Sequence, residues 1–234
     1  HENQKPQPAP NNILPLQDLY VTKEDGLNPR YTFDTFVVGS FNELAHAAAQ
    51  AVVKNPGRVY NPFFVYGNTG LGKTHLIQAV GNGLKAKNPN LSILYINSEK
   101  FTNDIIGAIQ TNKIASLKEK YRAHDVFIMD DIQFINGKER TQDELFHLFN
   151  SLYEMNKQII FSSDKHPNLI VGLEDRLRSR FNQGMIVDVN IPQIESRLAI
   201  LQSKTKHYPE KIPAEVPQYI AETTPGNIRE LEGA

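Results

Sequence analysis

The chain has 234 residues, 40% of them apolar and 22% charged, with a formal net charge of −1. That is enough for one large folded domain, or a domain with a small satellite, and the near-zero charge excludes a global basic field, so any contact with nucleic acid has to come from local patches. With no cysteine there is neither a disulfide nor a thiolate metal site, which fits a reducing compartment; no apolar run reaches membrane-spanning length and no signal peptide is visible.

In chain order, residues 1–27 are rich in Pro, Gln and Asn and read as a linker or disordered tail. The stretch from Asn28 to Gly39 is apolar and aromatic and must pack on something; it either lids the core or walls a ligand pocket, in which case Val38 faces the ligand. Asn42 to Val53 is an alanine-rich helix ended by Asn55-Pro56-Gly57. Phe63-Phe64-Val65-Tyr66 is a short buried strand.

It runs into Gly67-Asn68-Thr69-Gly70-Leu71-Gly72-Lys73-Thr74, which fits the phosphate-cradling pattern G-x-x-x-x-G-K-[ST]. The glycines let the backbone turn tightly and point N–H groups at phosphate oxygens, Lys73 reaches the β- and γ-phosphates, and Thr74 offers a hydroxyl to Mg²⁺. Leu76, Ile77, Ala79 and Val80 then recur at helical spacing, so a helix N-terminus meets the same anion. Strand, loop and helix in that order favour a nucleotide site over a glycine-rich turn with a surface lysine.

Ile93 to Ile96 is a second strand, with Ser98 as the expected N-cap of a helix through Ile109, and Lys113 to Arg122 is a short charged helix. Val126 to Met129 is a third strand closing on Asp130-Asp131. A carboxylate at the tip of a buried parallel strand sits where such sheets place ligands, and there Asp130 can hold Mg²⁺ while Asp131 orients or deprotonates a water. The alternative is a pair of acids opening a loop.

Thr141 to Met155 is amphipathic, with Asp143 and Glu144 expected in its first turn. Gln158 to Phe161 is a fourth strand ending in Ser162-Ser163-Asp164, a polar trio that serves either a γ-phosphate or a plain turn. From Leu173 to Phe181, Arg176, Arg178 and Arg180 crowd one short helix. They form a solvated face paired to Glu174 and Asp175, or they complete a phosphoryl-transfer site in a neighbouring subunit. Met185 to Val189 is a fifth strand. Pro192 is expected at the first turn of a helix reaching His207, Tyr208 to Pro217 marks a boundary, and a small helical unit broken at Thr224-Pro225-Gly226 follows. Alternating strands and helices imply a parallel sheet with helices on both faces.

The stretches NPRYTFDTFVVGS, GNTGLGKTH, DDIQFINGKERTQDELFHLFN, SSDKHP, GLEDRLRSRF and GNIRELEGA resemble the AAA+ module of the DnaA family of bacterial chromosomal replication initiators, from about Asn28 to Ala234. The resemblance implies an α/β P-loop NTPase of AAA+ type with a five-stranded parallel sheet, its core over residues 28–208 and the truncated start of a helical lid over residues 209–234. It implies ATP or ADP with Mg²⁺ on Gly67 to Thr74 and Asp130, with Asp131 positioning water. Asp164 becomes a first sensor, Arg229 a second sensor and Arg180 an arginine finger that reads the ATP of an adjacent subunit.

The implied function is slow, regulatory ATP hydrolysis controlling a helical oligomer at the replication origin. Lys113, Lys138 and Arg140 lie in segments similar to those lining its single-stranded DNA channel. Further implied partners are duplex origin DNA through a domain beyond Ala234, the replicative helicase or its loader, and acidic phospholipids, in a bacterial, nucleoid-associated cytoplasmic setting. The start at His1 and the stop within a helix-like pattern are expected of a fragment. The competing readings are a related helicase loader and a monomeric P-loop kinase. An outward-facing finger argues against the kinase, and the paired acids with GKERTQ argue against the loader.

Overall fold

The computed structural model describes residues 25–205, 212–224 and 226–233. Alternation of large apolar side chains decides the sheet. In β1 (Phe63–Tyr66), Phe63 and Val65 enter one core layer and Phe64 the other. In β3 (Val126–Asp130), Val126 and Ile128 face the first layer while Phe127 and Met129 face the second. Successive residues of a strand point to opposite faces, so strands apolar at every position need cover on both sides.

β2 (Ile93–Asn97), β4 (Gln158–Ser163) and β5 (Met185–Asp188) complete a five-stranded, all-parallel sheet in the order β2-β3-β4-β1-β5. One face is covered by α1 (Glu43–Lys54) and α2 (Lys73–Lys87), which contribute Ala45, Ala49, Val52, Leu76 and Val80. The other is covered by α3 (Ser98–Gln110), α5 (Glu139–Glu154) and α6 (Asp175–Asn182), with α4 (Ile114–Arg122) packed on α3 and α5. That second layer is aromatic: Phe64, Phe101, Tyr121, Phe127, Phe149, Phe161 and Phe181 are all buried in it. Because every strand runs the same way, β1, β3 and β4 deliver the residues after them to one edge.

Four expectations need correction here. Residues 1–24 of the expected tail lie outside the described residues, but Asp25 and Leu27 are packed: Leu27 is buried, the Asp25 carbonyl accepts from the Tyr95 N–H at 2.8 Å, and its carboxylate pairs with Lys85 at 3.2 Å. The cap of α3 is Asn97, whose side chain accepts from the Lys100 N–H at 2.8 Å from an extended backbone, while Ser98 is already helical. The helix of Asp143 and Glu144 starts at Glu139, so those two acids sit beyond its first turn.

The last correction concerns the lid boundary. α7 begins at Ile194 and is described to Thr205, with Pro192 ahead of it and His207 outside the described residues. It packs against α8 (Glu215–Thr223) and α9 (Ile228–Gly233), and Arg197 Nε donates to the Ala221 carbonyl at 2.8 Å. By packing it belongs with the helical unit, not only with the core, so that unit starts before residue 209. Among the described residues no helix is long and apolar enough to cross a membrane.

Candidate nucleotide cleft and arginine face

After β1 the chain turns through Gly67 to Gly72 into α2. Gly72, at the head of that helix, has φ +94°, a left-handed conformation that costs little only for glycine. Gly70 admits the helical unit of α7 to α9: a methyl group there would meet Asn227 Oδ1 at 2.6 Å. Lys73 opens α2 and is buried, its Nζ donating to the carbonyl oxygens of Gly67 at 2.8 Å and Asn68 at 3.0 Å. Burial pulls the Lys73 ammonium below the usual lysine range, and the nearby Asp131, Asp130 and Asp164 carboxylates oppose that pull.

Asp130 is buried at the tip of β3 and stands at the centre of a hydroxyl cluster. Its Oδ2 accepts from Thr74 Oγ1 and from the Tyr95 hydroxyl, each at 2.7 Å, and its Oδ1 accepts from Ser162 Oγ. Burial first, then the Asp130 charge, pushes the Tyr95 phenol up. Ser162 also accepts from the Asp131 N–H at 2.9 Å, so one hydroxyl locks both acids to β4.

Asp131 itself adopts φ 55° and ψ 51°, uncommon for a residue with a side chain and typical of strained functional positions. Its Oδ1 accepts from Gln133 Nε2 at 3.1 Å, and Gln133 Oε1 in turn accepts from the Asp164 N–H at 3.2 Å. Burial and then the Asp130 charge raise the Asp131 carboxyl above its ordinary value, opposed by the Gln133 donor and by Lys73. Asp164 Oδ1 is buried and has no hydrogen-bond partner among the described residues, a cost that points to a missing ligand or water. Of the expected polar trio, Ser162 and Ser163 are fully buried, with Ser163 Oγ accepting from the Lys165 N–H, so only Asp164 is left for a ligand.

These groups border a cleft of about 420 Å³ that Thr69, Gly70, Gly72, Lys73, Thr74, Asp131 and Gln133 line from the core and Ile228 and Arg229 from the lid. The Asn28 to Gly39 segment does both things expected of it. It is tied to α2 by Asn82 Nδ2, which donates to the Asn28 and Tyr31 carbonyls at 2.8 Å each, and Tyr31, Thr35, Phe36 and Val37 wall the cleft. Tyr31 stacks on His75 at 4.9 Å and Phe36 meets the same ring edge-on at 5.2 Å. Val38 does not line the cleft. It is 43% exposed, while its neighbour Val37 lines the wall. A second notch of about 570 Å³, lined by Gly57, Arg58, Asn61, Gln183 and Gly184 among others, lies before the amino ends of the strands, away from Lys73 and Asp131.

Lys73, Asp131 and Arg229 thus share one cleft, with Asp130 and Asp164 beside them. Arg180 does not line it. On α6, Arg176 Nε donates to Glu174 at 2.6 Å and its Nη2 pairs with Asp143, while Arg178 pairs with Asp175 and donates to the Leu173 carbonyl at 2.9 Å. These two are the solvated, paired face. Arg180 has no carboxylate partner among the described residues; its Nη1 donates to Gln183 Oε1 at 3.2 Å.

Lys113, Lys138 and Arg140 are exposed at the starts of α4 and α5. The two helices touch further along, where Lys118 pairs with Glu144 at 2.5 Å. The reading from sequence missed Tyr95, the donor role of Ser162, and Gln133. A lone amide in the otherwise apolar Ile132-Gln133-Phe134-Ile135 was the one available signal for the last.

A family profile for the bacterial DnaA ATPase domain matches residues 27–188. Domain III of the Thermotoga maritima replication initiation protein DnaA has a TM-score of 0.85 and 44% identity, over 88% of this chain and 86% of that one. AMPPCP-bound DnaA from Aquifex aeolicus has a TM-score of 0.83 and 41% identity, over 89% of this chain and 64% of that one. A replication initiator DnaA bound to AMPPCP and single-stranded DNA gives 0.82 and 41%, with the same coverage. This chain therefore spans 64% of the length of those two DnaA chains.

Proposed function

The chain belongs to the family of bacterial DnaA ATPase domains, and from that membership we propose that it is the ATP-driven module of a chromosomal replication initiator. The observation that carries the reading is the convergence of Lys73, Thr74, Asp130, Asp131, Asp164 and Arg229 around one cleft under a lid. ATP, or ADP after turnover, lies on the Gly67 to Thr74 backbone, its base against the Tyr31, Phe36 and Val37 wall.

Thr74 and Asp130 are hard oxygen donors that fit Mg²⁺. Among the described residues no three acidic or histidine side chains form a metal cage, which suits an ion bound through one or two protein oxygens and the phosphates. Mg²⁺, when bound, neutralises charge on the β- and γ-phosphate oxygens. Lys73 binds the same oxygens from the loop side. Asp131, fixed by Gln133 and with its carboxyl raised, holds the attacking water and takes its proton as the water oxygen bonds to the γ-phosphorus and the bond to the ADP oxygen breaks. Asp164 and Arg229 sense the γ-phosphate from β4 and from the lid. Slow hydrolysis then serves as the off switch.

Arg180 reads the triphosphate of an adjacent copy, so ATP-bound copies assemble into a helical oligomer. Lys113, Lys138 and Arg140 hold single-stranded origin DNA. Duplex origin DNA, through a further domain, the replicative helicase or its loader, and acidic phospholipids are the remaining proposed partners, in a bacterial cytoplasm close to the nucleoid. Lys73→Ala is the test: ATP affinity in filter binding should fall about a hundredfold, because charge-assisted bonds to phosphate are lost. Affinity within about twofold of wild type would place the nucleotide elsewhere.

A further inference from the structure

Three arginines lie on α6, and the chain treats them differently. Arg176 and Arg178 are neutralised by Glu174, Asp143 and Asp175. Among the described residues Arg180 bonds only to uncharged partners. Its guanidinium carbon lies 5.8 Å from the centre of the Phe146 ring on α5, a ring it shares with Arg176 at 5.0 Å, and its Nη1 donates to the Gln183 amide oxygen at 3.2 Å, the contact that belongs to Arg180 alone of the three. Gln183 closes a second bond, its N–H donating to the Arg180 carbonyl at 3.2 Å, so side chain and backbone clasp each other. The Phe146 ring is partly buried and packs against the apolar layer beneath α5.

We propose that Phe146 and Gln183 are positioning residues: together they form a charge-neutral rest that orients Arg180 while leaving its charge uncommitted in its own chain. An aromatic face attracts a cation through its quadrupole, and an amide oxygen accepts its N–H, yet neither adds a counter-charge. A carboxylate in either place would pair with the guanidinium and compete with a phosphate brought by a neighbour, because arginine binds both in the same forked geometry. An unsupported arginine would instead lose rotamer freedom on every docking event. The inference rests on the reading of Arg180 as a residue acting on an adjacent copy.

The decisive variant is Gln183→Glu. The position is exposed and the shape nearly unchanged, so folding and ATP affinity should match wild type. ATP-driven self-association of the protein, followed by sedimentation, should weaken about fivefold at low salt and recover as salt screens the new pair. Phe146→Leu should weaken it about threefold and Phe146→Tyr should restore it. Arg180→Ala runs alongside as the reference. If that reference loses assembly while Gln183→Glu and Phe146→Leu assemble as wild type, the neutral rest is refuted and the trans-acting arginine stands. A Gln183→Glu defect that ignores salt also refutes it. If Arg180→Ala itself assembles normally, the reading beneath is what fails.

Discussion

The nucleotide cleft and the arginine face of α6 are both dense in charge, and they settle it in opposite ways. In the cleft the charges are tied within the chain: Lys73 to loop carbonyls, Asp130 to three hydroxyls, Asp131 to Gln133. On α6 two arginines are tied and the third, Arg180, is held without a counter-charge. A network of buried polar groups that is satisfied around Lys73, Asp130 and Asp131 is rigid and specific, and it leaves Asp164 Oδ1 as the acceptor without a partner among the described residues. Arg180 is half-buried and, under the proposed function, is held ready for a partner outside the chain. On the proposed function, the contrast teaches that binding is built into one copy while reading what is bound is left to two.

The contrast is broken hardest at Asp130. In Asp130→Asn an amide replaces a carboxylate that accepts from Thr74, Tyr95 and Ser162, so a donor now faces a hydroxyl cluster. ATP hydrolysis should fall about a hundredfold or more, and the thermal midpoint should drop by about 5 °C. An unchanged midpoint in a melting scan would mean that the hydroxyls are not organised around that acid. On the DNA flank, Lys138→Ala with Arg140→Ala should weaken single-stranded DNA binding and flatten the dependence of log K on log salt by about 1.4, roughly 0.7 for each charge lost. Fluorescence anisotropy across a salt series checks this, and an unchanged slope would remove both residues from the interface.

The smallest effect belongs to Tyr95→Phe, which deletes one of the three hydroxyls. A midpoint lower by about 2–4 °C with ATP affinity within about twofold of wild type would sharpen the view that the cluster supports the acid without touching the nucleotide. A large loss of ATP affinity would instead put Tyr95 in the binding surface.

The strands, the loop at Gly67 to Thr74 and the acids at Asp130 and Asp131 were legible because each is a local pattern: an apolar run, a glycine spacing, a charge at a strand tip. What stayed hidden depends on register across the sheet. Asn97 pairs with Asp130 and Met129 with Phe161, and that alignment brings Ser162 and the Tyr95 hydroxyl onto Asp130. Val38 was misplaced for a related reason, since composition does not tell which of two adjacent valines faces inward. The arginines were legible as a cluster, but the division of Glu174, Asp143 and Asp175 between Arg176 and Arg178 needs the distance from α5 to α6. The start of the lid was read from prolines in sequence, whereas packing assigns α7 to it.

The central claim is that a triphosphate in one copy is read by Arg180 of the next. Sedimentation velocity of the wild type and of Arg180→Ala, each with ATP, ADP and a non-hydrolysable ATP analogue, tests it directly. The account predicts large assemblies for the wild type with ATP or the analogue, none with ADP, and none for Arg180→Ala in any state despite unchanged ATP affinity. Equal assembly of the two proteins with ATP would contradict it.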